Sequence, residues 1–288
     1  FSLKVFALTN CSDDISIDDL RASQYQNEET ELSKEYLPEK DPKGIFLVVH
    51  GLNLKPSKMT AFSQYLVDNG YYVLRVSLEG HRGSLEEQKK IQWKNWMEDM
   101  QKHYCYALKQ SKKFKAPLYN LSFSLGSLVS MGHISLLKEN PYKKEIFLAP
   151  ATWIHWYGKI PGWLGFLDGE VGLPSKNLEE YRSQPTTSLN CYRAMKEGRE
   201  FLENASPEVF KVPTLIIMDK KDELVSIKKI EKYSHKNKLE NLWSIFTVTN
   251  KETELEKSYH HLIVDQKSLG EKQWNKLLER LSAFLEEE

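Results

Sequence analysis

The sequence predicts an α/β fold: a mostly parallel central sheet with helices on both faces, carrying an inserted, aromatic-rich cap. Three observations predict it. Continuous apolar runs such as Ile45-Phe46-Leu47-Val48-Val49 suit strands buried on both faces of a sheet. Segments with apolar residues three and four apart alternate with these runs, as helices do when they cross over between parallel strands. Between residues 150 and 213 the alternation stops. Trp153, Trp156, Tyr157, Trp163, Leu164, Phe166 and Leu167 crowd together there.

The elements follow in order. Residues 1–10 read as a strand through Leu3, Val5, Phe6 and Leu8. Residues 11–43 form an acidic, mostly exposed lead-in with one short helix, ending in Pro-Glu-Lys-Asp-Pro. Gly44 to His50 is a central strand. Pro56-Ser57 start a helix with Met59, Phe62, Tyr65 and Leu66 on one face, and Asn69-Gly70 end it. Tyr71–Ser77 is a strand. Trp93, Trp96, Met97, Met100, Tyr104 and Leu108 make the buried stripe of a helix over 91–110. Leu118–Ser122 is a strand, and a helix runs from Leu125 to about Lys138. Strands follow at Lys144–Leu148, Thr214–Met218 and Trp243–Val248. A helix over 227–236 and a last helix through Leu269, Trp274, Leu277, Leu281 and Phe284 complete the core.

This order gives a core of residues 44–149 and 214–288, a cap over 150–213 and a lead-in over 1–43. The length of 288 residues suits one domain with an inserted subdomain. The cap is too long for a strand-to-helix loop and too apolar for a solvated linker. Packing onto the core accounts for some of its aromatic side chains. A cap over the carboxyl ends of the strands also covers the place where open α/β sheets bind ligands. Trp153, Trp156, Trp163 and Phe166 are therefore candidate substrate contacts.

Forty basic and forty acidic residues cancel, which argues against nucleic acid or an anionic membrane surface as the main partner. No run approaches the roughly 18 apolar residues that span a bilayer. The three cysteines, Cys11, Cys105 and Cys191, are odd in number and widely spaced. They read as reduced thiols, which favours a cytoplasmic protein. The first residue is Phe1, so export after removal of an N-terminal segment stays open. No histidine makes a metal-ligand spacing, so no metal and no cofactor is expected. Oligomeric state is not legible.

The chemistry centres on Pro117-Leu118-Tyr119-Asn120-Leu121-Ser122-Phe123-Ser124-Leu125-Gly126. A strand turns sharply into a helix at Ser124, the arrangement of a nucleophile elbow. A serine needs a base, and the base needs an orienting carboxylate. The acid is expected after the strand at 214–218, where Asp219, Asp222 and Glu223 compete. Asp222 is preferred, because it lies a few residues past the strand and before Leu224-Val225. The base is expected after the strand at 243–248, where His260 and His261 are adjacent. His260 is preferred, because Leu262 and Val264 then anchor the chain behind it. The oxyanion donors are expected to be the backbone N–H groups of Leu125 and of Leu52, with Gly51 allowing close approach and Asn53 bracing the loop.

His50-Gly51-Leu52, Gly80-His81-Arg82-Gly83, Ser122-x-Ser124-x-Gly126, Asp219-x-x-Asp222 and Ser258-Tyr259-His260, in that order, resemble the α/β-hydrolase superfamily. The resemblance is to its capped esterases and monoacylglycerol-lipase-like, serine aminopeptidase-like hydrolases, and covers about Gly44 to Glu288. Ser122 stands where the elbow usually has glycine, and Asp219 where glycine often precedes the acid. The resemblance implies Ser124 as nucleophile, Asp222 as acid, His260 as base, and Leu52 and Leu125 as oxyanion donors. The expected activity is hydrolysis of small-molecule carboxylic esters with an apolar acyl group. The alternatives are a thioesterase or an aminopeptidase/amidase on the same triad, or a non-catalytic lipid-binding relative.

Overall fold

The structure is a computed structural model, and it describes residues 11–12, 14–21, 29–81, 85–155, 169, 171–256 and 259–287. The strand expected over 1–10 lies outside the described residues. So do Trp156, Trp163 and Phe166.

A seven-stranded sheet forms the centre, in the order β1-β3-β2-β4-β5-β8-β9. Its strands are β1 (Lys34–Tyr36), β2 (Ile45–Val49), β3 (Tyr72–Val76), β4 (Leu118–Phe123), β5 (Tyr142–Leu148), β8 (Thr214–Asp219) and β9 (Trp243–Val248). A separate hairpin pairs β6 (Gly172–Pro174) with β7 (Thr186–Ser188). All central pairings are parallel except β1 with β3. Every residue of β2, β3 and β4 is buried. That burial explains their unalternated apolar sequences, since each large apolar side chain contributes roughly 1.5–3 kcal/mol when it leaves water.

The short helix expected in the lead-in is α1 (Ile17–Arg21). The segment also supplies the antiparallel edge strand β1, which was not expected. Arg75 of β3 explains why this segment docks. Its guanidinium is buried and donates to the carbonyls of Thr30 and Leu32 and to the Thr60 and Tyr36 hydroxyls. A buried cation with four acceptors holds a polar segment that has little apolar surface to bury. The cysteines also differ from expectation: Cys11 and Cys105 form a disulfide, closing 94 residues of sequence. Cys191 is a free, buried thiol.

The helices that position the site are α2 (Thr60–Asp68), α3 (Leu85–Lys89), α4 (Trp93–Phe114), α5 (Leu125–Leu137), α6 (Leu189–Glu203), α7 (Ile227–Lys236), α8 (Gln266–Leu269) and α9 (Glu271–Glu286). The helix expected over 91–110 runs from Trp93 to Phe114: at its start Asn95 Oδ1 accepts from the Gln92 N–H at 2.9 Å, and Lys115 ends it in the left-handed conformation. Helix α5 is buried over Leu125–Ile134, Ser127, Ser130 and His133 included. Between β5 and β8, the described part of the insertion includes the β6–β7 hairpin, α6 and a single 3-10 turn at Pro207–Phe210. Helix α6 buries Cys191, Ala194, Gly198 and Leu202 and packs on α3, α4 and α5.

Chain order and sheet order together fix where a ligand can sit. From β2 the chain steps to β3 on one side, then returns across β2 to β4 on the other. Loops leaving β2 and β4 therefore diverge and open a crevice at their carboxyl ends.

Candidate active site

Ser124 occupies that crevice, between the last residue of β4 and the first of α5. Its φ of 51° and ψ of −110° lie where a residue with a Cβ is disfavoured, at a cost of about 1–3 kcal/mol. Several bonds force the conformation. The Ser124 N–H donates to Leu148 O at 2.8 Å, and Ser124 O accepts from the N–H groups of Ala151 and Ser127, both at 3.1 Å. Ser127 Oγ donates to Ser122 O at 2.8 Å and ties the helix start to the strand end. Gly126 is required sterically, because a methyl group there would lie 2.6 Å from Val49 O and 2.7 Å from His50 O. The helix thus presses directly on the end of β2.

The two adjacent histidines take different partners, and this corrects the expectation for His260. His261 Nε2 lies 2.8 Å from Ser124 Oγ, and its Nδ1 lies 2.8 Å from Asp222 Oδ2. His260 turns the other way and puts Nδ1 2.9 Å from Asp219 Oδ2. The cause is a β-turn over Tyr259–Leu262, closed by the Leu262 N–H to Tyr259 O at 3.0 Å. His260 and His261 are its two corner residues, and buried Leu262, Ile263 and Val264 fix the chain behind it. The apolar anchors expected behind the base are present, but they anchor the turn as a whole and cannot choose between its corners.

The three acidic residues after β8 divide the work. Asp219 ends the strand, and its Oδ2 also accepts from the Asn250 N–H. Asp222 is buried, and its Oδ1 accepts from the N–H groups of Leu224 at 2.8 Å and Val225 at 2.7 Å. Its second oxygen is left for His261. Glu223 bonds to neither imidazole. Its carboxylate accepts from the backbone N–H of His260 and of His261, each at 2.9 Å.

Burial alone pushes the His261 imidazole down from its ordinary value. The carboxylates of Asp222 and Glu223 oppose this and leave it raised.

Leu52 and Leu125 flank the serine. Leu125 is the first residue of α5, where a helix leaves its N–H groups without intrahelical acceptors. Leu52 follows Gly51, and a methyl group on Gly51 would lie 3.2 Å from Ser124 Cβ, so this loop passes close to the serine. Among the described residues neither N–H finds an acceptor. His50 stiffens the loop from behind: Nδ1 donates to Gly51 O at 2.9 Å, and Nε2 accepts from the Leu78 N–H at 3.0 Å. His81 packs edge-on against it with ring centroids 4.7 Å apart.

Asn53 ties the same loop to the insertion. Its Nδ2 donates to Gln184 O at 2.9 Å and Thr187 Oγ1 at 3.0 Å, while Oδ1 accepts from the Gln184 N–H at 2.8 Å. Asn177 Nδ2 donates to Asn53 O at 3.1 Å. Asn53 was legible as a brace because it adjoins Leu52. Asn177, Gln184 and Thr187 gave no signal, being ordinary polar residues more than a hundred positions away. Nor did Glu223, which competes in sequence only as a third choice of acid.

Trp153, expected as a substrate contact, is buried at 9% exposure. Its ring packs against Tyr233 at 5.1 Å and Trp243 at 5.8 Å, forming an aromatic cluster between α7 and β9. Among the described residues no group of histidine, cysteine and carboxylate side chains could hold a metal ion, and no helix is long and apolar enough to cross a membrane.

Comparison with known proteins gives the same fold. The model of the serine aminopeptidase S33 family matches residues 40–183, half of the chain. No curated protein sequence matches. Among solved structures, a soluble variant of monoglyceride lipase from Saccharomyces cerevisiae superposes with a TM-score of 0.72 at 15% identity, covering 88% of this chain and 91% of that one. A structure from the metagenome-derived lipolytic enzymes LipS and LipT superposes at 0.67 with 19% identity, covering 90% and 99%. The monoacylglycerol lipase of Paleococcus ferrophilus superposes at 0.62 with 15% identity, covering 88% and 98%. At these identities the likeness establishes an α/β-hydrolase fold.

Proposed function

The chain belongs to the serine aminopeptidase S33 family, and from that premise we propose that it is a serine hydrolase that cleaves carboxylic esters through an acyl-enzyme. One observation carries the reading: the unbroken chain Asp222–His261–Ser124, with both links at 2.8 Å. Asp222 holds the Nδ1–H tautomer of His261, leaving Nε2 to accept the serine proton. Ser124 Oγ attacks the acyl carbon as His261 takes that proton. The N–H groups of Leu52 and Leu125 stabilise the oxyanion that develops. His261 then protonates the departing alkoxide, and the alcohol leaves. Water, activated by the same imidazole, attacks the acyl-enzyme and releases the acid.

An apolar acyl group is the substrate class we favour over a charged peptide. The aromatic run within 153–167 supports it, as do the lipolytic neighbours in fold. The hydrogen-bonded triad speaks against a lipid-binding relative without turnover. The Cys11–Cys105 disulfide supports an oxidising compartment in place of the cytoplasm.

Fluorophosphonate labelling tests the nucleophile. Wild type is expected to label at Ser124 and Ser124→Ala to remain unlabelled; equal labelling of the two would remove Ser124 from this role. A panel of p-nitrophenyl esters of rising chain length, run beside acyl thioesters and aminoacyl amides, tests the substrate class. Faster turnover of the amides or thioesters would replace the ester reading.

A further inference from the structure

We infer that Glu223 is a positioning residue for His261, gripping the turn that carries the imidazole while Asp222 grips the ring. This rests on the proposed reading of the triad. A β-turn uses the N–H of its fourth residue, here Leu262, to close on the carbonyl of its first, Tyr259. The N–H groups of the two corner residues are left over. In the turn at Tyr259–Leu262 those corners are His260 and His261. Both N–H groups donate to one carboxylate, at 2.9 Å to Glu223 Oε1 and 2.9 Å to Oε2.

The geometry joins two loops at two levels. Asp222 and Glu223 are consecutive, so one short segment after β8 holds His261 through both its side chain and its backbone. A rotation of the turn about its own axis would swing His261 Nε2 away from Ser124. The same rotation would break the pair of bonds to Glu223, because both amides sit at the turn's apex. The Asp222 bond alone fixes one atom of the ring and leaves that rotation open.

The groups facing His261 are Asp222 on Nδ1, Ser124 on Nε2, the Phe123 ring at 5.2 Å and Glu223 on its amide. The Asp219–His260 pair lies beside them. Glu223 therefore adds negative charge on the backbone side of the imidazole, which favours its protonated form, in keeping with the raised His261 value. Because Glu223 is exposed, salt should weaken this influence.

Two substitutions separate grip from charge. Glu223→Gln keeps the length, loses the charge and turns one acceptor into a donor facing an N–H. Glu223→Asp keeps the charge but is too short to span both amides. The rate of fluorophosphonate labelling should fall about 10- to 100-fold in both, as expected for a displaced catalytic group. The His261 imidazole, titrated by NMR, should show a lower midpoint in Glu223→Gln and a midpoint near wild type in Glu223→Asp. A loop brace without this role would lower the melting temperature, leave the midpoint unmoved and leave labelling within two-fold of wild type; that result overturns the inference. If wild type itself fails to label, the hydrolase reading falls, and the titration still decides whether Glu223 governs His261.

Discussion

His261 Nε2 and Ser124 Oγ lie 2.8 Å apart, while the imidazole immediately before it in the chain, His260, faces Asp219. Two neighbouring residues of the same type thus have separate carboxylates and separate consequences.

Replacing each histidine in turn should separate them by orders of magnitude. His261→Ala is expected to lower kcat on a p-nitrophenyl ester by about 10⁴- to 10⁶-fold, the scale of losing a triad base. His260→Ala should cost less than about ten-fold, because it loses a bond to Asp219 and no contact with Ser124. Steady-state kinetics on the two purified variants decides between them.

The protonation state of His261 gives opposite signs for activity and stability. In the proposed mechanism the imidazole must be neutral, so kcat/KM should fall on the acid side with a midpoint above 6.5, the ordinary imidazole value. A raised value also means that the folded state holds the proton more tightly than the unfolded chain. That contribution to stability is complete below 6.5 and is lost as pH rises through the folded-state value. A pH–rate profile and denaturant melts across the same range should therefore move in opposite directions. His261→Ala should flatten the stability change in that window.

Asn53 should affect both the fold and the rate. It is buried at 1% exposure, and its φ of 48° is left-handed. Asn53→Ala leaves the Gln184 N–H and Gln184 O without their partner, at about 1–3 kcal/mol for each buried group left unsatisfied. If Leu52 donates to the oxyanion, loosening this loop should lower kcat about ten-fold or more, with little change in KM. Asn53→Gly relieves the backbone but not the lost bonds, so it should recover stability more than rate. Melts and kinetics on the pair check this.

Glu145 predicts a stability change unconnected with catalysis. It is fully buried in β5. Asn140 Nδ2 donates to its Oε2 at 3.0 Å, and the hydrogen bonds of Asn140 and Asn120 only partly offset its burial. Burial raises its carboxyl from 4.5 to about 7. The folded state keeps the proton that the unfolded chain releases, so stability should fall as pH rises from 4.5 to about 7 and then level off. The full change is on the order of 3–4 kcal/mol, taking roughly 1.4 kcal/mol per pH unit. Glu145→Gln should remove this slope, as read by denaturant midpoints from pH 4.5 to pH 8.

The strands were legible because burial on both faces leaves a continuous apolar run, as in Ile45–Val49. The elbow was legible because strand, serine and helix follow without a gap. Edge strand β1 was missed: Lys34-Glu35-Tyr36 carries no apolar pattern, and it pairs because a buried Arg75 gathers the chain before it. The disulfide was missed for a similar reason, since nothing at Cys11 reports that it meets a residue 94 positions away.

The sequence by itself determined the α/β class, the serine at the elbow, and the narrow windows after β8 and β9 that hold the carboxylates and the histidines of the proposed triad. These are local facts, written in periodicity and in residue type at a strand end. Only the tertiary structure decided which histidine reaches Ser124, because His260 and His261 are corners of one turn and differ in direction alone. It also decided that Asp219, Asp222 and Glu223 hold an imidazole, an imidazole and a pair of amides. Direction is set by how β8 and β9 bring their loops side by side, and one-dimensional spacing does not encode it.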